Sequence, residues 1–107
     1  MNPIIEAKQP EIIALCQKSG VIKLDLFGSA TGEHWNPETS DFDFVVAFDN
    51  YRPGIATRLV GFCDELEALL GRSVDLVFER SMKPRVREFI ASQRQPIYER
   101  NDRTVAA

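Results

Sequence analysis

The sequence predicts a single α+β domain over residues 1–107, and three observations lead to that prediction. Residues 41–48 alternate between polar and apolar side chains, which is typical of a half-buried strand. Residues 55–70 repeat apolar side chains every three or four positions, which indicates a helix with one buried side. A chain of 107 residues is long enough to bury one core and too short for two domains.

The first part of the chain is predicted to form a helix followed by a strand. Residues 3–19 have the helical spacing, and Gly20 suits a helix C-terminus. The buried side of this helix is predicted to hold Ile5, Ile12, Leu15 and Cys16. Residues 21–27 then read as the first strand.

The second half is predicted to contribute a long helix, a strand, a short helix and a last strand. Residues 55–70 form the clearest helix, Gly71 ends it, and residues 73–78 follow as a strand. Pro84 suits the first position of another helix, which Ser81 could cap. Its apolar side is predicted to be Val86, Phe89 and Ile90, and Ile97 and Tyr98 are predicted to add a short strand.

Composition and charge restrict the class of protein. The net charge of −3 argues against a uniformly basic nucleic-acid-binding protein. Eight of the 13 basic residues lie between Arg72 and Arg103, where they form either a face for an anionic partner or an ordinary solvated surface. No stretch approaches the roughly 20 apolar residues of a membrane span, and residues 1–15 do not resemble a signal peptide.

The two cysteines are predicted to be buried thiols. Cys16 and Cys63 are flanked by apolar residues and have no metal-binding or redox spacing. Together with the missing signal peptide, this leads us to expect a cytoplasmic protein.

The chemistry is predicted to lie around Gly28, Ser29 and the acidic pair Asp41 and Asp43. Gly28 and Ser29 interrupt the first strand, and glycine permits a close backbone approach while free N–H groups bind phosphate. Asp41 and Asp43 fall on the polar face of the second strand, roughly 7 Å apart at their Cα atoms. Such a pair attracts a proton or a hard cation such as Mg²⁺, which carboxylates bind well.

Asp75 adds a third carboxylate in the middle of an apolar strand. Aspartate is depleted from strand interiors, and a buried charge needs a partner. Three carboxylates on two strands are better explained by a shared ion than by an acidic outer face. Asp25 is interpreted instead as an exposed strand carboxylate.

Two aromatic side chains in the loop between the first two strands allow either a functional or a purely structural interpretation. Trp35 could stack on a nucleotide base, and His34 could act as a general base. The simpler interpretation, which we favour, is a partly exposed aromatic ring and a solvated imidazole.

The order of these motifs resembles the polymerase-beta-type nucleotidyltransferase superfamily. A strand, Gly28-Ser29, Asp41-x-Asp43, a helix and Val74-Asp75-Leu76-Val77 follow one another as they do there. The length, the Pro84 to Arg87 segment and Ile97-Tyr98-Glu99 resemble its smallest members, the minimal nucleotidyltransferases. This resemblance implies a small mixed sheet with helices packed on one face.

The resemblance also implies an activity, ligands and a partner. Asp41, Asp43 and Asp75 would bind two Mg²⁺ ions, and Gly28 and Ser29 would hold the triphosphate of ATP. Members of this family are often paired with a HEPN-domain toxin. In such a pair, the family member acts as the antitoxin and transfers AMP to a tyrosine of the toxin. We therefore expect a protein adenylyltransferase that acts as an antitoxin.

Two other functions stay open from the sequence. One is a catalytically inactive binding module that keeps the fold and neutralises its partner by steric cover. The other is a nucleotidyltransferase that acts on a small molecule or an RNA end.

Overall fold

The computed structural model describes residues 1–32, 35, 36 and 40–100. Its four strands and three α-helices alternate in part, and two short 3-10 turns, Gly28–Thr31 and Glu79–Ser81, lie between them. The elements in chain order are α1 (Pro3–Ser19), β1 (Val21–Phe27), β2 (Phe42–Phe48), α2 (Ile55–Leu70), β3 (Val74–Phe78), α3 (Pro84–Ile90) and β4 (Gln95–Glu99).

The four strands form one mixed sheet in the order β3-β2-β1-β4. β1 pairs antiparallel with both β2 and β4. β2 and β3 are parallel, and α2 makes the long crossover that parallel neighbours require. The mixed sheet predicted through the resemblance is confirmed.

The main core lies between one face of the sheet and the helices α1 and α2. Alternate residues of β2 are buried on this face, as the pattern of residues 41–48 predicted. The helices contribute the side chains predicted for α1 and the apolar stripe of α2. The largest fully buried side chains are Phe42, Phe44, Phe48, Phe62, Ile5, Ile12, Leu24, Leu26 and Leu66.

The opposite face of the sheet is covered only in part, by α3. Ile90 and Met82 pack against Val45, which alternation places on the other side of β2 from Phe44. The predicted apolar side of α3 is otherwise wrong, because Val86 and Phe89 are exposed. The Ser81 cap is also wrong, since Lys83 precedes the helix and no side chain caps it. A seven-residue helix touches the sheet through one end only.

The helix ends and Cys16 agree with the prediction from sequence, whereas Cys63 is less buried than predicted. Gly20 and Gly71 end α1 and α2 with φ angles of 76° and 68°, a conformation that glycine adopts readily. Cys16 is a buried free thiol, and burial raises its pKa to about 12. Cys63 is a free thiol that is only half-buried. In the part of the chain that the structure describes, no helix has the length and apolar character of a bilayer span.

Candidate active site

Asp43 and Asp75 lie side by side on neighbouring parallel strands. The β2–β3 register pairs them directly, so both side chains emerge on the face opposite the main core. Asp43 is half-buried and Asp75 is exposed, and their carboxyl groups approach closely enough to share a hydrogen bond. Asp41 immediately precedes β2 and is exposed. The three carboxylates of the sequence prediction thus occur at one end of two adjacent strands.

The electrostatics of Asp43 are those of a site without a counter-ion. Burial raises the pKa of Asp43 above its usual range, and the nearby carboxylates of Asp75 and, to a smaller extent, Asp41 raise it further. No basic side chain in the described part of the chain forms an ion pair with Asp43. A cation or a proton would relieve this repulsion.

Gly28 places the end of β1 directly against the Asp43 carboxylate. Its φ is +77°, which L side chains rarely adopt, and a Cβ there would lie 2.6 Å from Asp43 Oδ2. Phe27, the preceding residue, pairs with Asp43 across the sheet. Only glycine fits at this position without moving the carboxylate.

The Gly28–Thr31 turn is held by hydrogen bonds to all four of its carbonyl groups. Thr31 Oγ1 donates to Gly28 O at 2.7 Å, and Gly32 N donates to Ser29 O at 3.1 Å. Asn2 Nδ2 donates to Ala30 O at 3.4 Å, and Gln95 Nε2 donates to Thr31 O at 3.5 Å. These bonds fix the peptide planes, so the amide groups at the start of the turn keep their direction.

Asn2 and Gln95 support the Gly28–Thr31 turn, a role that the sequence did not lead us to predict for either residue. Asn2 is buried, and its Oδ1 also accepts from the Ile4 and Ile5 amides at the start of α1. An asparagine at a helix N-cap was a detectable signal, since its amide can cap and donate at once. Gln95 gives no such signal, because its partner is 64 residues away.

The donor set suits Mg²⁺ better than any softer metal. Carboxylate oxygens are the ligands of hard divalent cations. Cys63, whose Sγ hydrogen-bonds to Val74 O, packs against the main core and not on the face that carries Asp43 and Asp75. Within the residues that the structure describes, no three His, Cys, Asp or Glu side chains already converge as a metal site. Asp43 and Asp75 are paired directly across β2 and β3, and Asp41 lies two residues before Asp43, just outside β2.

Asp25 is not the exposed carboxylate that the sequence suggested. It is buried on β1, and Arg94 Nε donates to its Oδ2 at 2.9 Å. Arg94 also donates to both carboxylate oxygens of Glu79, at 3.1 and 2.6 Å. An arginine 69 residues away in sequence lets the strand carboxylate be buried, which a local pattern cannot reveal.

Trp35 packs inward, toward the core side of the sheet. Its ring stacks on Phe42 with centroids 5.0 Å apart, and the guanidinium carbon of Arg72 lies 5.9 Å from its ring centroid. These contacts favour the simpler interpretation of a partly exposed aromatic ring over a base-stacking platform. His34 lies outside the described residues.

The raised pKa of Asp43 predicts how the stability of the metal-free protein depends on pH. A carboxyl whose pKa is higher in the folded state contributes full stability below its unfolded pKa and loses it as pH rises through the folded pKa. We expect wild-type stability to fall relative to Asp43→Asn as pH rises above about 4, the ordinary pKa of an aspartate. Urea denaturation of both proteins in EDTA measures the difference. Glu79, whose pKa Arg94 lowers, contributes to stability with the opposite dependence on pH. This contribution is the same in both proteins, so it cancels in the difference between them. A difference that is constant with pH would contradict the expected coupling.

Comparison with solved structures agrees with the fold. A structure described as a minimal nucleotidyltransferase is 33% identical over 85% of this chain and 90% of the other, with a TM-score of 0.72. Another contains the tri-AMPylated HEPN toxin of Shewanella oneidensis in complex with MNT antitoxin. It is 21% identical over 89% of this chain and 72% of the other, with a TM-score of 0.64. A toxin–antitoxin structure with AMP-PNP is 24% identical over 88% and 75%, with a TM-score of 0.66. At 21% and 24% identity, the likeness shows the shared fold.

Comparison with protein families gives the assignment. No curated protein matches the chain closely enough to count as a relative. The family model of the nucleotidyltransferase domain matches residues 12–97, which is most of the sequence and includes Gly28, Ser29 and all three aspartates. The chain therefore belongs to the nucleotidyltransferase domain family.

Proposed function

We propose that this chain transfers AMP from Mg²⁺-bound ATP to a tyrosine hydroxyl of a HEPN-type toxin and so acts as its antitoxin. The observation that carries the proposal is the pair of adjacent carboxylates, Asp43 and Asp75, beside the Gly28 backbone. The solved toxin–antitoxin structures support the choice of acceptor, because one of them contains an AMPylated toxin.

In this proposal, the residues of the site have two roles, which are binding of the triphosphate and activation of the acceptor hydroxyl. Gly28 and Ser29 would bind the triphosphate through backbone N–H groups and the Ser29 hydroxyl. Asp41, Asp43 and Asp75 would hold two Mg²⁺ ions. When bound, these ions would neutralise phosphate charge and lower the pKa of the attacking hydroxyl.

The bond changes follow from this arrangement. The acceptor oxygen attacks the α-phosphorus and forms a new P–O bond, while the bond between the α-phosphorus and the bridging oxygen to the β-phosphate breaks. Pyrophosphate leaves with that bridging oxygen and its charge. Asp75, the exposed member of the adjacent pair, would accept the proton of the attacking hydroxyl.

The direct test starts from the gene next to that of this chain, which we expect to encode a HEPN-domain protein, and measures AMP transfer to that protein. We expect α-labelled ATP to label a tyrosine of that protein when Mg²⁺ is present and to leave it unlabelled in EDTA. Peptide mass spectrometry locates the label. Tight binding of the HEPN protein without any labelling would support the inactive binding module, and labelling of RNA or a small hydroxyl compound instead would support the other alternative.

A further inference from the structure

The helix α3 presents apolar side chains to solvent. Phe89 is 76% exposed and Val86 is 47% exposed, although they lie three residues apart on the same side of the helix. Only Ile90 of α3 is buried. Neighbouring large apolar side chains on a surface commonly mark a site of protein interaction.

The same segment is basic. Residues 83–90 hold three basic side chains and one acidic side chain, Glu88, in a chain whose net charge is −3. Arg87 pairs with Glu79. Lys83 and Arg85 form no ion pair with any acidic side chain of the described residues, and both are exposed. Their charges are therefore available to an acidic partner.

The position of α3 connects this surface to the candidate active site. Ile90 packs on Val45, which is the next residue after Asp43 on the same face of β2. Phe27 joins that cluster, and it pairs with Asp43 across the sheet. A protein that brings a hydroxyl to Asp43 and Asp75 on this face therefore passes close to α3.

We propose that Lys83, Arg85, Val86 and Phe89, the α3 docking surface, bind an acidic and partly apolar segment of the protein that carries the acceptor hydroxyl. The inference rests on the proposed function and adds where the partner is recognised. A protein segment fits better than a nucleic acid, because Val86 offers a nucleic acid neither charge nor a stacking surface.

The test measures, by isothermal titration, binding of the HEPN-domain protein that we expect the adjacent gene to encode, and AMP transfer to that protein. The variants are Phe89→Ser and Arg85→Glu. Their matched controls are Val60→Ser, at a 58% exposed position of α2, and Lys8→Glu on α1.

For Phe89→Ser we expect affinity for the HEPN protein to fall about 30-fold, as for an aromatic side chain that becomes buried at the centre of an interface. KM for the HEPN protein should rise in parallel, with unchanged affinity for Mg²⁺-ATP. The controls should behave as wild type, and Phe89→Leu should restore most of the binding.

Several outcomes would overturn the docking surface. Equal binding of the HEPN protein by Phe89→Ser, Arg85→Glu and their controls would do so. Weaker binding of Mg²⁺-ATP by Phe89→Ser would make the site a nucleotide contact, and loss of self-association in sedimentation would make it a contact between copies. Loss of binding to a labelled single-stranded RNA, with HEPN binding intact, would make it a nucleic-acid surface. A wild-type chain that binds the HEPN protein through Phe89 but transfers no AMP would contradict the proposed function alone.

Discussion

Replacing Asp43 by asparagine should reduce AMP transfer to the HEPN protein by ~10³-fold or more while the protein stays folded. Residues that act together at a reacting centre typically have effects of this size. The substitution keeps the shape of the side chain and removes the negative charge that is needed to hold a cation. Asp43 is the central member of the acidic group, with Asp75 beside it and Asp41 two residues earlier.

The fold should tolerate this substitution because the ionised Asp43 carboxylate is partly desolvated and is repelled by neighbouring carboxylates. Its raised pKa records burial and repulsion by Asp75, so a neutral amide relieves an unfavourable interaction in the metal-free protein. The matched control is Asp64→Asn, at an exposed position of α2. Initial rates of labelling measure both variants. Transfer by Asp43→Asn at a rate close to that of Asp64→Asn would exclude Asp43 from catalysis.

Replacing Arg94 by alanine should destabilise the protein by about 3–5 kcal/mol, the usual effect of removing one partner from a buried ion pair. The side chain of Arg94 is 13% exposed and that of Asp25 only 4% exposed. Arg94 holds Asp25 on β1 and both oxygens of Glu79, which follows β3. Without it, the cation left beside the buried Asp25 carboxylate among residues 1–32, 35, 36 and 40–100 is Lys23, whose Nζ lies 3.9 Å away.

Chemical denaturation of Arg94→Ala and Arg87→Ala separates burial from simple charge removal. Arg87 also pairs with Glu79, but its side chain is 47% exposed, so we expect less than about 1 kcal/mol from its loss. The double variant Asp25→Leu with Arg94→Met should recover much of the stability, since it removes both charges together. Equal effects of Arg94→Ala and Arg87→Ala would show that the Asp25 pair is not a buried one in solution.

Much of the fold could be predicted because its signals are local. β1 and α2 have the predicted bounds, since a run of alternating or helical apolar residues ends at Gly28 and Gly71. The juxtaposition of Asp43 and Asp75 also follows from sequence, because a strand, helix and strand in succession commonly give parallel neighbours.

The predictions that were wrong concern residues whose environment depends on parts of the chain that are distant in sequence. Asp25 reads as a surface charge until Arg94 is brought next to it. Val86 and Phe89 read as a buried side of α3, and helical spacing alone does not tell which apolar side chains meet the sheet. In both cases the deciding contact is tertiary.

The most direct measurement of the central claim is isothermal titration of ATP into the purified chain with Mg²⁺ and with EDTA, repeated for Asp43→Asn. We expect saturable binding by the wild type in Mg²⁺, and loss of that binding both in EDTA and in the variant. No binding of ATP in Mg²⁺, or binding of equal strength in all three conditions, would contradict a magnesium-dependent nucleotide site at these aspartates.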